Sequence, residues 1–154
     1  MIKKKIKKLL IANRGEIACK IIKCAKNLNI PTVAIYSNED VSSLHVQLAD
    51  EAVNIPGSLV SETYMNGPAI ISICKKYKAN AIHPGYGLLY ENAKFVKSVE
   101  KNNLIFIGPK STIIKNMGEK DKAKLIMEEV GVPVIPGYHG DNQDKDCLLY
   151  TSPS

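Results

Sequence analysis

The sequence predicts a doubly wound α/β fold built on a mostly parallel sheet. Short apolar or β-branched runs of strand length alternate with longer stretches of helical period, the pattern of repeated βαβ units. The chemically unusual loops all follow strands: residues 13–16, 37–40, 83–87 and 108–111, whereas the alternate loops carry no such motif. Ligands of open parallel sheets bind beyond the carboxyl ends of the strands, so these four loops are expected at one working edge. Residues 83–87 supply the third sign, a strand stopped by a proline and two glycines before a helix.

In chain order, residues 9–12 form the first apolar run. Asn13-Arg14-Gly15-Glu16 turns into a helix whose apolar positions are Ile17, Ile21, Ala25 and Leu28, with Lys20, Lys23 and Lys26 between them. Asn29-Ile30-Pro31 ends it. Residues 32–36 form a second strand, 37–40 a polar loop, 43–49 a short helical turn and 52–55 a third strand ended by Pro56-Gly57. Pro68 suits the first turn of a helix that runs through Cys74. Residues 79–82 read as a buried strand, and Glu91 and Asn92 open a helix through Val99. Residues 104–107 form a further strand, and Ser111 caps a short helix to Met117. Gly118 interrupts it, and a second helix runs from Lys120 to Val130, stopped by Gly131 and Pro133.

Composition narrows the function. The chain has 154 residues and a net charge of +6, carried almost wholly by lysine, with Arg14 the single arginine. That length is enough for one domain with a real core. Five lysines fall in the first eight residues, which read as a basic solvated tail, 1–8. Neither a basic face interleaved with aromatics nor a known module points to nucleic acid. No run approaches a membrane span, and no secretory signal is visible. Cys19, Cys24, Cys74 and Cys147 form no C-x-x-C pair, a reducing-compartment pattern of packed thiols. His45, His83 and His139 lack metal-ligand spacing. A single Gly15 is not the three-glycine dinucleotide fingerprint, and there is neither a Walker lysine motif nor a nucleophile elbow.

What remains is the loop at residues 83–87. Its glycines let the backbone take positive φ and let a ligand approach, and the following helix start favours an anionic or strongly polar group. Tyr86 can offer a flat face or a hydroxyl there. Arg14 and Glu16 suit loop orientation through charge-assisted hydrogen bonds. Lys120 begins a helix, where its charge opposes the helix dipole, and a phosphate ligand would explain it. The alternative readings are a steric βα turn and one more exposed lysine.

In order and spacing, the motifs resemble the N-terminal domain of biotin carboxylase over roughly residues 7–144. The likeness is carried by Leu10-Ile11-Ala12-Asn13-Arg14-Gly15-Glu16-Ile17-Ala18, by Leu48-Ala49-Asp50-Glu51-Ala52, and by His83-Pro84-Gly85-Tyr86-Gly87 followed by Glu91-Asn92. Phe106-Ile107-Gly108-Pro109 and Met117-Gly118-Glu119-Lys120 complete it. The resemblance implies a Rossmann-like domain, 9–140, that precedes an ATP-grasp domain. It implies an enzyme in which ATP and bicarbonate give carboxyphosphate, whose carboxyl group passes to biotin on a carrier domain. It places Lys120 against ATP phosphates and Tyr86, Gly87 and Glu91 at the edge of the biotin and bicarbonate site. Arg14, Glu16, His83 and Gly85 become structural supports, and Mg²⁺ falls to carboxylates of a later domain. A carboxyltransferase, the carrier domain and a second copy of the chain are the implied partners. The implied compartment is the cytoplasm, or the mitochondrial matrix if the native start lies upstream.

The sequence departs from the family pattern at Leu88-Leu89-Tyr90, where Phe-Leu-Ser is usual, and at Glu119, where Asp is usual. Residues 146–154 fit no part of it, and 141–154 are expected as a truncated or non-native tail, with the chain inactive by itself. Another ATP-grasp ligase, of carbamoyl-phosphate or purine-pathway type, and a stand-alone α/β binding module are the competing readings.

Overall fold

Leu9–Ile11 (β1) is the central strand of a five-stranded sheet. The computed structural model describes residues 5–134, and the chain divides after Ser111 into two compact units. In the first unit β1 is flanked by Thr32–Tyr36 (β2) and Glu51–Asn54 (β3) on one side and by Ala81–His83 (β4) and Ile105–Phe106 (β5) on the other. The order is β3-β2-β1-β4-β5 and every pairing is parallel. Leu10 pairs with Val33 and Ile82, and Ile11 with Ala34 and His83. The expected fold is therefore the observed one.

Side chains alternate across the sheet with period two. Leu10, Val33, Ile35 and Ile82 point to one face and pack with Ile70 and Cys74 of Gly67–Lys76 (α3) and with Phe95 and Val99 of Ala93–Lys101 (α4). Leu9, Ile11 and Ala81 point to the other and pack with Ala18, Ile21, Ile22 and Ala25 of Gly15–Asn27 (α1). Covering both faces accounts for the nearly continuous apolar runs of β1 and β2. The chain moves outward from β1 to β3, then crosses back to β4. Right-handed crossovers put α1 and α3 on opposite faces and open a switch point between the ends of β1 and β4. Leu44–Leu48 (α2) is the short helix before β3.

Three helices, α1, α3 and α4, stop in one way. At the end of α1, Ile30 N–H donates to Ala25 O and Asn29 N–H to Lys26 O, with Asn29 at φ 53°. The same pair of bonds recurs around Lys78 and Asn103, which also have positive φ. These are Schellman turns whose left-handed position is filled without glycine. They correct the predicted stripe of α1: Leu28 is its C-cap and stands 64% exposed, while Ala18, Cys19 and Ile22 join Ile21 and Ala25 in the buried face.

Other expectations are corrected by side-chain contacts. Residues 5–8 are not a solvated tail. Lys7 and Lys8 N–H donate to Asn80 Oδ1 (2.8 and 3.2 Å), Asn80 Nδ2 donates to Lys5 O (2.9 Å), and Ile6 packs on the α1 face. The first helical residue of α4 is Ala93, because Asn92 caps it by accepting from Phe95 N–H (3.0 Å). Ser111 is the first residue of its helix, and its hydroxyl donates to Glu100 (2.6 Å). Cys19 and Cys74 are buried, but Cys24 is exposed. Burial pushes the Cys74 thiol up to about 11, so it packs as an inert apolar group. Cys147 and His139 lie outside the described residues.

Ser111–Gly118 (α5) begins at the last residue of the first unit and Lys120–Glu129 (α6) lies in the second; the break falls at Glu119, one residue past the Gly118 at which the sequence predicts it. Val132 N–H donates to Met127 O and Gly131, at φ 75°, to Glu128 O, a fourth Schellman stop.

Candidate functional site at the carboxyl edge of the sheet

Two loops meet at the switch point, and Asn13 joins them. It follows the buried end of β1 and is itself 4% exposed. Its Nδ2 donates to Pro84 O (2.7 Å) and to Tyr86 O (2.9 Å), and its Oδ1 accepts from Arg14 N–H (2.9 Å). One amide thus ties the loop after β1 to the loop after β4. Ala12 N–H also donates to His83 O (2.9 Å), which carries the parallel ladder to the mouth of the site.

The loop's shape follows from this clasp. Gly85 sits at φ 66°, and a Cβ there would lie 2.5 Å from Asn13 Nδ2. Its N–H donates to His83 Nδ1 (3.0 Å). Gly87 also has positive φ, 82°, yet a Cβ there would meet nothing within 4 Å. Gly85 is glycine for both space and conformation, whereas Gly87 borders open space. Leu89 is buried and anchors the loop to the core, leaving Tyr86 (63% exposed), Gly87 and Glu91 exposed. The Tyr90 hydroxyl is held above its ordinary value chiefly by a hydrogen bond to Glu91. The residue that departs from the family pattern therefore touches the glutamate of the motif.

The loop after β2 forms a second cluster. Asp40 accepts from Tyr64 Oη (2.6 Å), Ser37 Oγ (3.1 Å) and Ser43 Oγ (3.3 Å), and pairs with Arg14 at 3.5 Å. The Arg14 guanidinium lies 5.4 Å from the Tyr64 ring centroid, in reach of a cation–π contact. Burial opposes ionisation of Asp40, but the hydroxyl donors and Arg14 outweigh it and hold the carboxyl below its usual range. Burial first, and then the bond to Asp40, push the Tyr64 phenol up to about 12. Arg14 thereby bridges the loops after β1 and β2.

The remaining sequence-predicted residues are placed apart from these clusters. Glu16 pairs with Lys20 at 2.7 Å on the outer side of α1. Lys120 opens α6, and its side chain lies outside the described residues. His45 is buried with Nε2 3.3 Å from Ile35 O, and burial lowers its pKa. Among the described residues no group of three His, Cys, Asp or Glu is placed to hold a metal ion. No described helix is long and apolar enough to cross a membrane. Sequence reasoning gave Asn13, Asp40 and Tyr64 no role of their own. Asn13 was legible only as the polar residue that ends the first strand, and Tyr64 carried no signal.

The all-parallel sheet, with a clasped glycine loop at its switch point, defines a doubly wound α/β domain. Its closer affiliation comes from comparison. The family described as "Biotin carboxylase, N-terminal domain" matches residues 5–114, and the chain belongs to that family. It is 50% identical over 145 residues to the mitochondrial methylcrotonoyl-CoA carboxylase subunit alpha of Dictyostelium discoideum, covering 94% of this chain and 21% of that one. It is 50% identical over 135 residues to biotin carboxylase 1 of Bacillus subtilis (strain 168), covering 88% and 30%. A crystal structure of a complex of biotin carboxylase from Campylobacter jejuni with β,γ-ATP superposes with a TM-score of 0.89 at 40% identity, covering 96% and 33%. The chain thus spans between about a fifth and a third of the length of these relatives.

Proposed function

We propose that this chain supplies the first domain of an ATP-dependent biotin carboxylase, which carboxylates carrier-bound biotin from ATP and bicarbonate. The observation that carries the reading is the Asn13 clasp. It fixes a glycine loop with Tyr86, Gly87 and Glu91 exposed at the switch point, where such sheets take ligands. In this reading those three residues border the biotin and bicarbonate site. Gly85, His83 and Arg14 hold the loops, and Glu16 steadies the first turn of α1. Lys120 contributes a charge-assisted contact to ATP phosphates. Mg²⁺ is held by carboxylates of a following ATP-grasp domain, and the 154 residues alone turn over no ATP. The carrier domain, a carboxyltransferase and a second copy of the enzyme are its partners. The cytoplasm or the mitochondrial matrix is its compartment, the latter favoured by the mitochondrial relative.

The test is a chimera in which residues 5–134 replace the matching segment of the Bacillus subtilis enzyme. Bicarbonate-dependent ATP hydrolysis stimulated by free biotin is the expected result. A folded chimera that binds MgATP but shows no such hydrolysis would overturn the reading.

A further inference from the structure

His83 does more than end a strand. Its Cα pairs with Ile11 in the sheet, and its Nδ1 accepts the Gly85 N–H at 3.0 Å, two residues along the loop. An imidazole nitrogen that accepts has no proton, so His83 is the neutral Nε2–H tautomer. Gly85 is the residue that cannot move independently, because Asn13 closes over it and its φ is 66°. The His83 ring and the Asn13 amide therefore secure the loop through different bonds: Asn13 binds the carbonyls on either side of Gly85, and His83 binds its N–H.

We infer that His83 is a positioning residue whose protonation state switches the glycine loop. The neutral ring holds the loop, and a proton on Nδ1 ends its capacity to accept and sets two N–H donors against each other. The surroundings favour the holding state. The ring lines a largely apolar groove with Ile107 of the segment after β5 and Ile21 of α1. The titratable groups in that groove are Lys20 and Cys24 of α1, and Lys20 is a cation paired with Glu16. Among the described residues no carboxylate lines the groove to welcome an imidazolium. Burial accordingly lowers the His83 pKa.

The sign follows. His83 is neutral when folded and protonates more readily when unfolded. Its contribution is complete above the unfolded value, about 6.5, and is lost as pH falls through that value toward the lower folded one. The switch itself stands on the loop geometry. Its consequence for carboxylation rests on the function proposed above.

The test uses NMR of the full chain, comparing the parent with His83→Asn, whose Oδ1 accepts without titrating, and with His83→Ala. In the parent, the His83 ring should show an unprotonated Nδ1 at neutral pH. The Gly85 amide should lose exchange protection along the same titration as the ring. Gly85 should stay protected through that range in His83→Asn and be unprotected throughout in His83→Ala. A Gly85 amide that is indifferent while His83 titrates, or that changes equally in His83→Asn, would overturn the inference. So would a ring that stays neutral until the whole chain unfolds. The chimera separates the two readings. If it is inactive at every pH the function fails, whereas equal acid limbs in the parent chimera and its His83→Asn variant mean the switch fails.

Discussion

Gly85→Ala is the substitution that interrogates the clasp, with Gly87→Ala as its control. Both residues have positive φ, 66° and 82°, so each alanine takes on the left-handed penalty of about 1–2 kcal/mol. Reduced freedom of the unfolded chain returns about 0.4–1 kcal/mol of that. Gly87→Ala adds nothing further, because open space surrounds the new methyl, and it should destabilise by about 1 kcal/mol. At Gly85 the methyl would stand 2.5 Å from Asn13 Nδ2 and 2.9 Å from its Cγ. Asn13 must swing away and abandon Pro84 O and Tyr86 O in a site where it is 4% exposed. Leaving such groups unpaired costs about 1–3 kcal/mol more. Urea unfolding should therefore place Gly85→Ala about 2–4 kcal/mol below the parent. In an Asn13→Ala background the contacts with Nδ2 and Cγ are gone and only the 3.0 Å approach to the residue-13 Cβ remains, so the cost of Gly85→Ala should fall most of the way to that of Gly87→Ala. Equal losses for the two glycines in the parent, or an unchanged Gly85 penalty without Asn13, would refute the clasp.

Three further outcomes are expected. Asp40→Ala should destabilise the chain by about 1.5–3 kcal/mol in urea, because it strands the Tyr64 hydroxyl and two serines. Since the folded carboxyl titrates below its ordinary range, its contribution is complete above about pH 4 and is lost as pH falls through the folded value. Acid titration of the parent's stability should show that loss, and Asp40→Ala should flatten it. Lys78→Gly should leave stability unchanged or raise it by up to about 1 kcal/mol, since Lys78 holds a left-handed Schellman position at φ 56°; calorimetry showing a lower melting temperature would contradict the account of the helix stops. In the chimera, Lys120→Ala should raise KM for ATP by an amount corresponding to about 1.5–3 kcal/mol, and an unchanged KM would remove the phosphate role.

Much of this fold was legible because period and punctuation agree. β2 is the predicted run 32–36 to the residue. The working edge of the sheet followed from the fact that the chemically unusual loops all come after strands. What escaped the sequence were long-range polar contacts. Asn80 lies some seventy residues from the lysine backbone it holds, so charge density alone made 1–8 look like a solvated tail. Tyr64 reads as one more aromatic residue, and only the packed structure brings its hydroxyl to Asp40. The motif named Gly85, but the reason for that glycine is Asn13, more than seventy positions upstream. Glu16 illustrates the opposite failure: its place in a loop motif suggested a loop partner, while a lysine one helical turn away was nearer.

The central claim is that the loop held by Asn13 borders the biotin and bicarbonate site. The direct measurement is steady-state kinetics of the chimera carrying Tyr86→Ala or Glu91→Gln, with ATP, bicarbonate and biotin each varied in turn. Losing a contact worth about 1.4 kcal/mol should raise KM for biotin or bicarbonate, or lower kcat, about tenfold, while KM for ATP stays within about twofold. Variants that match the parent in all three substrates, or that change KM for ATP alone, would contradict it.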